Sequence, residues 1–253
     1  MLEVCVETME GIGAAVAGGA DRIELCAALA LGGLTPPHSL IAQAAMAPIA
    51  THLLARPRDG NFRYGAGDAA LVAEDIRTAA EAGLDGVVIG ASDASGMLDT
   101  DLLAAWVAHA RAEGEKRGRR LSLTLHRAFD LCPDLPGAME TAIALGFDRI
   151  LTSGGQPRAA DALDMLAALV AQADGRIIIL PGSGIDAGNA AAILATGVGE
   201  LHASCRSAAG GASEAEQRFG FQSGPAMQTD PAKVSALAAM LKPAHGTLNS
   251  TNI

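Results

Sequence analysis

The sequence predicts an α/β protein, a single (βα)8 TIM barrel with a polar lumen. Three observations predict it. Eight short β-branched runs alternate with Ala-rich amphipathic stretches, a Gly-centred motif recurs along the chain, and strand parity sends charged side chains to one shared face. Parallel neighbours need a crossover, usually a helix, so this alternation argues for a parallel sheet. Eight such units within 253 residues match a closed barrel better than a doubly wound sheet.

The strand-like runs are 2–7, 21–26, 48–54, 86–90, 120–126, 148–152, 176–180 and 199–204. Helical stretches between them include 68–82, with Asp68 as N-cap and Gly83 just past the end, 133–145, closed by Gly146, and 158–173. A last helix is expected over 230–241. Gly19-Ala20-Asp21-Arg22-Ile23, Gly83-Leu84-Asp85-Gly86-Val87, Gly146-Phe147-Asp148-Arg149-Ile150 and Gly197-Val198-Gly199-Glu200-Leu201 each end a helix and open a strand. Their first glycines are 64, 63 and 51 residues apart, about two βα units per period. The composition breaks at 206–229, rich in Gly, Ser and Gln, which reads as an extended loop. One barrel domain is therefore expected over 1–243, with a polar, disordered tail over 244–253.

The chain carries 28 acidic and 18 basic residues, a net charge of −10, and half of it is apolar with few aromatics. That balance argues against nucleic acid and anionic membranes as main partners. No apolar run approaches the roughly 20 residues that span a bilayer, and Met1-Leu2-Glu3-Val4 opens as a strand rather than a signal peptide. Four scattered cysteines with no C-x-x-C pair do not make a disulfide framework, which fits a reducing, cytoplasmic setting.

Alternate strand residues point to opposite faces, and a barrel's outer face must be apolar to meet the helices. Leu2, Val4 and Val6 then face out, and Glu3, Cys5 and Glu7 face the lumen. Ile23 and Leu25 face out, and Arg22, Glu24 and Cys26 face in. His52, Arg56, Ser122, Thr124, His126, Glu200, His202 and Ser204 join them, although Leu54 shares the inward parity of strand three. Burying unpaired charge is costly, so these groups must pair, hold an ion or meet a polar ligand. Glu3 with Arg22, deep in the strands, reads as a structural ion pair. The groups near the strand C-termini lie where barrel sites are found.

Leu125-His126-Arg127-Ala128-Phe129-Asp130 is the densest polar cluster, with His126 as a candidate acid/base and Arg127 and Asp130 beside it. Leu151-Thr152-Ser153-Gly154-Gly155 and Pro181-Gly182-Ser183-Gly184-Ile185 are Gly-rich strand-to-helix turns. Ser153, Gly154, Gly182, Ser183 and Gly184, with Ser204, are candidate anion-binding positions. Arg56 and Arg58 could clamp a carboxylate or phosphate, or be solvated loop charges. Cys5 and Cys26, at matching heights on adjacent strands, could share a soft metal such as Cu(I), or be inert core thiols. Cys132 and Cys205 carry no assigned role. The lysines, Lys116, Lys233 and Lys242, all fall on helices or their ends, which excludes Schiff-base chemistry in the barrel mouth. No G-x-G-x-x-G or P-loop follows a strand.

Taken in order, these motifs resemble the CutC family of copper homeostasis proteins. The matching stretches are Leu2-Glu3-Val4-Cys5-Val6-Glu7, Gly18-Gly19-Ala20-Asp21-Arg22-Ile23-Glu24-Leu25-Cys26, Gly32-Gly33-Leu34-Thr35-Pro36, Arg56-Pro57-Arg58, His126-Arg127-Ala128-Phe129-Asp130 and Leu151-Thr152-Ser153-Gly154-Gly155. The resemblance spans about 1–206 and the last helix. It implies a (βα)8 barrel, a cytoplasmic location, self-association as a dimer or tetramer, and Cu(I) ligands at Cys5 and Cys26. Ser183 departs from the family pattern, where another glycine is usual, and the segment 207–223 looks peculiar to this chain.

Two functions follow. One is copper homeostasis, with Cu(I) as the cofactor-like ligand of Cys5 and Cys26. The other is a barrel enzyme for a small phosphorylated or polyhydroxylated metabolite. There His126 is acid/base, Glu7 and Glu24 orient hydroxyls or a divalent metal, and Arg56 with the 182–184 turn holds an anion.

Overall fold

Eight parallel strands carry the architecture: β1 (Leu2–Val6), β2 (Arg22–Leu25), β3 (Ala50–Leu54), β4 (Gly86–Ile89), β5 (Ser122–Leu125), β6 (Arg149–Thr152), β7 (Ile178–Pro181) and β8 (Leu201–Ala203). This is a computed structural model describing residues 1–221 and 224–242. The ladder runs β7-β6-β5-β4-β3-β2-β1-β8, so β8 returns to β1 and the sheet curls into a (βα)8 TIM barrel. β7 and β8 lie side by side with no ladder between them. All eight expected strands are present.

The crossovers are α1 (Met9–Gly18), α2 (His38–Ala44), α3 (Ala66–Glu81), α4 (Thr100–Lys116), α5 (Leu135–Leu145), α6 (Leu163–Ala173) and the short α7 (Ala190–Leu194). Local chemistry sets their ends. Thr8 Oγ1 accepts the Gly11 N–H to start α1, and Gly19, at φ 82°, ends it in the left-handed conformation that glycine adopts without steric cost. Asp134 caps α5, and Gly146 closes it as expected.

The Gly-x-Asp repeat has a physical cause. Asp21, Asp85 and Asp148, at the mouths of β2, β4 and β6, accept the N–H of Leu2, Thr51 and Leu123 on the preceding strand at 2.7–2.8 Å. The backbone N–H of each aspartate returns a bond to the carbonyl of the same residue. Each pair thus closes two otherwise orphaned groups at the lower rim.

Two expectations are corrected. Asp68 does not cap α3. The helix starts at Ala66 after Gly65, and the Asp68 carboxylate accepts Arg58 Nε at 2.8 Å, because that arginine claims it from the loop after β3. Segment 206–229 is no extended loop. It is an antiparallel hairpin, β9 (Arg206–Ala208) with β10 (Met227–Thr229), carrying α8 (Glu214–Arg218) behind a Ser213/Glu216 capping box. Three-residue strands leave no periodic signal in a Gly/Ser-rich segment. The tail 244–253 lies outside the described residues. Helix α9 (Pro231–Leu241), capped by Asp230, packs on α1, where Gly18 leaves room for Val234.

The main core fills the space between strands and helices, with Leu2, Val4, Val6, Ile23, Leu25, Leu53, Val87, Ile89, Leu123, Leu125 and Ile150 all buried. Each such side chain contributes roughly 1.5–3 kcal/mol on burial. A separate small cluster, Cys5, Cys26, Leu54 and Val88, sits inside the barrel. Leu54 follows its inward parity. Among the described residues no helix is long and apolar enough to cross a membrane.

Candidate functional site

The lumen is charged from its base upward. Arg22 binds Glu3 at 2.5 Å and Glu200 at 2.6 Å, and Arg149 reaches Glu200 at 3.3 Å and Ser122 Oγ at 2.7 Å. His202 Nδ1 lies 2.8 Å from Glu3 Oε1 and 3.4 Å from Glu24 Oε2. All of these except Ser122, which is half-buried, are buried, so the base is a mutually neutralising network as parity implied, with Arg149 added by β6.

The network splits two carboxyls. Burial works against ionised Glu3, but the His202 hydrogen bond and the Arg22 charge outweigh it and hold Glu3 well below the usual carboxylate range. Burial pushes Glu24 up to about 7, since Glu3 repels it and His202 compensates only in part. Burial opposes a charged His202, yet Cys5, Glu3 and Glu24 around it hold the imidazolium well above its ordinary value. Two carboxyls in different environments thus take different protonation states near neutrality.

Above the network lies a cavity of about 290 Å³ at the C-terminal ends of the strands. Its walls include Cys5, Glu24, Arg56, Phe62, His126, Arg127, Ser183, Gly184, His202 and Ser204. His126 ends β5. Its Nδ1 accepts the Ala128 N–H at 3.1 Å, so the neutral ring carries its proton on Nε2. Burial, with Arg56 nearby, lowers it to about 3, so His126 is a neutral N–H donor rather than a base titrating near 7. Its Nε2 and Glu24 Oε2 are both buried and have no hydrogen-bond partner. Phe62 faces the His126 ring at 4.7 Å, and Arg56 stacks over Phe62 at 5.1 Å.

The other expected site residues divide. Arg56 reaches the cavity wall, with its guanidinium tied to the carbonyls of Leu31, Gly33 and Gly60. Arg58 is spent on Asp68 and on the carbonyls of Asp59, Asn61 and Arg63, away from the cavity. Glu7 stands at the rim, accepting from Leu29 N and Arg206. Among the described residues Asp130 makes no hydrogen bond to His126. It accepts from Arg127 Nε, Thr152 Oγ1, Ser153 N and Oγ, and Gly155 N, so it clasps the loop after β6. Ser153 and Gly154 belong to that clasp, while Gly182 donates to the Thr152 carbonyl.

The two cysteines do not share a height. Cys5 stands opposite Glu24 across the β1–β2 ladder, so Cys26 lies two residues further along. The Cys26 thiol donates to the Val6 carbonyl at 3.4 Å, and burial, with Cys5 and Glu24 close by, pushes its pKa far up. Among the described residues, one group of three side chains, Glu3, Glu24 and His202, brings its ligand atoms within 4.8 Å of one another, a set of oxygen and nitrogen donors.

The CutC family model matches residues 1–207. The chain belongs to the CutC family. A CutC family protein of Sinorhizobium medicae is 46% identical over 242 residues, covering 95% of this chain and 96% of that one. One from Caulobacter vibrioides is 53% identical over 205 residues, covering 81% and 80%. The crystal structure of a putative copper homeostasis protein CutC from Streptococcus agalactiae superposes with a TM-score of 0.74 at 30% identity, covering 81% of this chain and 98% of that one. The CutC match ends at the hairpin, so the segment after β8 lies beyond the family model.

Sequence parity misses Arg158 and Lys233, which border a second cavity described below. Neither lies on a strand, so no alternation could flag it.

Proposed function

We propose that this CutC protein binds a small polar metabolite in the barrel mouth and acts on it by proton transfer. One observation carries the reading: Glu24 and His126 line the same cavity, and Glu24 Oε2 and His126 Nε2 are buried without a hydrogen bond, Oε2 having only the 3.4 Å ion pair with His202. Buried polar atoms normally make hydrogen bonds, so two that make none on residues of one cavity support a polar ligand there. Glu24, at about 7, is poised to give or take a proton. His126 donates from Nε2 to an oxygen that gains negative charge, and the His202 imidazolium lends further stabilisation. Cys5, in the wall beside His202, completes the polar side of the pocket. Four free thiols support a reducing, cytoplasmic setting.

The test is a thermal-shift and calorimetric screen of hydroxy acids and polyols against wild type, Glu24→Gln and His126→Ala. The expected result is a ligand that loses about tenfold or more in affinity in His126→Ala, as loss of a buried hydrogen bond implies. A panel whose binding is indifferent to both substitutions would sink the reading.

Copper homeostasis is the second reading. The printed name of the Streptococcus agalactiae relative supports it, as does the inner cluster that unites Cys5 with Cys26. It requires the Cys26 thiol to give up the proton it now donates to the Val6 carbonyl.

A further inference from the structure

A second cavity, of about 930 Å³, opens beside the first, between the loops after β6, β7 and β8 and helix α9. Ser183, Gly184, Ile185 and Ser204 wall both cavities. They flank the seam where β7 and β8 share no ladder, so strand pairing does not consume the loop after β7. The backbone N–H groups of Ser183, Gly184 and Ile185 have no partner among the described residues. Ser183 and Gly184 take φ of 80° and 71°. Positive φ at two successive residues bends the chain sharply here, and a turn with three successive unbonded N–H groups is the kind of backbone that can receive an anion. For a serine that conformation is costly, and the Ser183 hydroxyl holds it by donating to the Pro157 carbonyl at 2.7 Å.

The charges around this concavity are only partly committed. The Arg158 guanidinium makes no ion pair or hydrogen bond among the described residues, and its stem packs over Gly184, about 3.3 Å from where a Cβ would stand. Lys233 makes one bond, to the Arg206 carbonyl at 2.7 Å, which leaves two of its N–H groups. Arg206 is already paired with Glu7. The carboxylate in the same wall, Asp186, accepts the Gly188 N–H. Arg158, the two remaining N–H groups of Lys233 and three unbonded amides thus share this wall with one carboxylate, in a chain whose net charge is −10.

We propose that this cavity is the phosphate subsite of the same ligand, whose class is then a phosphate monoester of a small polyhydroxylated metabolite. The phosphate rests on the 183–185 amides, Arg158 and Lys233, and the polar body reaches Glu24 and His126 through the shared wall. Three amides and two cations suit a tetrahedral dianion with three free oxygens better than a planar carboxylate with two. The inference rests on the central cavity being the ligand site.

Inorganic phosphate and glycerol phosphate are titrated calorimetrically into wild type, Arg158→Gln, Lys233→Gln and Glu24→Gln. Arg158 and Lys233 are exposed, so neither substitution disturbs the core. Wild type is expected to bind phosphate at least about tenfold more tightly than acetate, with Arg158→Gln weakening phosphate about tenfold and Lys233→Gln severalfold. Glu24→Gln should leave inorganic phosphate unchanged and weaken the ester. Phosphate that fails to bind, or binds both cation variants within about twofold of wild type, overturns the subsite. An ester that depends on Arg158 but not on Glu24 retains the subsite and removes the central reading.

Discussion

Cys26 stands two residues beyond Cys5 toward the barrel mouth, and its thiol is spent on the Val6 carbonyl at 3.4 Å. Cys5 opens into the central cavity; Cys26 is not in its wall. The two sulfurs most easily read from sequence as a pair therefore occupy different environments, one facing a ligand space and one sealed.

Weak copper retention is expected from that offset. In an anaerobic Cu(I) titration against a competing chelator, wild type is expected to retain well under a full equivalent of copper, and the Cys5→Ser/Cys26→Ser double variant to behave the same. A full equivalent per chain that vanishes in the double variant would put the copper reading first.

Glu24 makes stability depend on pH. Its folded pKa of about 7 lies above the unfolded value of 4.5, so its contribution is fully present below 4.5 and is lost as pH rises through 7. Glu24→Gln cannot ionise. Melting temperature measured from pH 5 to pH 8 should fall less steeply in that variant, and identical slopes would place Glu24 in the ordinary carboxylate range.

His52 and His126 act in the opposite direction. Burial first, then nearby positive charge, lowers both to about 3 from 6.5, although Glu3 partly offsets this for His52. The unfolded chain takes up their protons first, so stability is intact above 6.5 and is lost as pH falls toward 3. His126→Gln should soften acid unfolding between about pH 6 and 4, read as a smaller change in urea midpoint.

Gly90 is what lets His126 approach the barrel. A Cβ there would meet His126 Cε1 and Nδ1 at 2.4 Å. Gly90→Ala is expected to cost about 1–3 kcal/mol by overpacking and to displace the imidazole. Calorimetry would then show ligand affinity falling as it does in His126→Ala; an unaltered affinity would mean the ring's position does not matter.

Asp130 is predicted to matter for folding. Asp130→Ala leaves Arg127, Thr152 and two loop amides without their acceptor, a loss of about 2–3 kcal/mol. The expected readout is a lower urea midpoint at unchanged slope, whereas full stability with lost ligand binding would return Asp130 to the site.

Alternation along β1 and β2 was enough to place Glu3, Cys5, Arg22 and Glu24 inside, because a strand's side chains can only alternate between lumen and helices. The eight strands and the Gly-x-Asp repeat were readable for the same reason: they are local chemistry at element ends. Leu54 keeps its parity, and the hairpin at 206–229 is not legible in the sequence because two three-residue strands carry no period.

The sequence by itself determined the barrel, its polar lumen and which side chains enter it, since these follow from periodicity and from hydrogen bonds between residues near a turn. Only the tertiary structure decided which lumen groups satisfy one another and which are left over. Asp130 and Arg58 were absorbed by loops, while Glu24 and His126 were left with atoms that make no hydrogen bond. Arg158 and Lys233 arrived from a loop and a helix more than 70 residues apart. Pairing of charges depends on three-dimensional distance and burial, and neither is written into the order of residues along a strand.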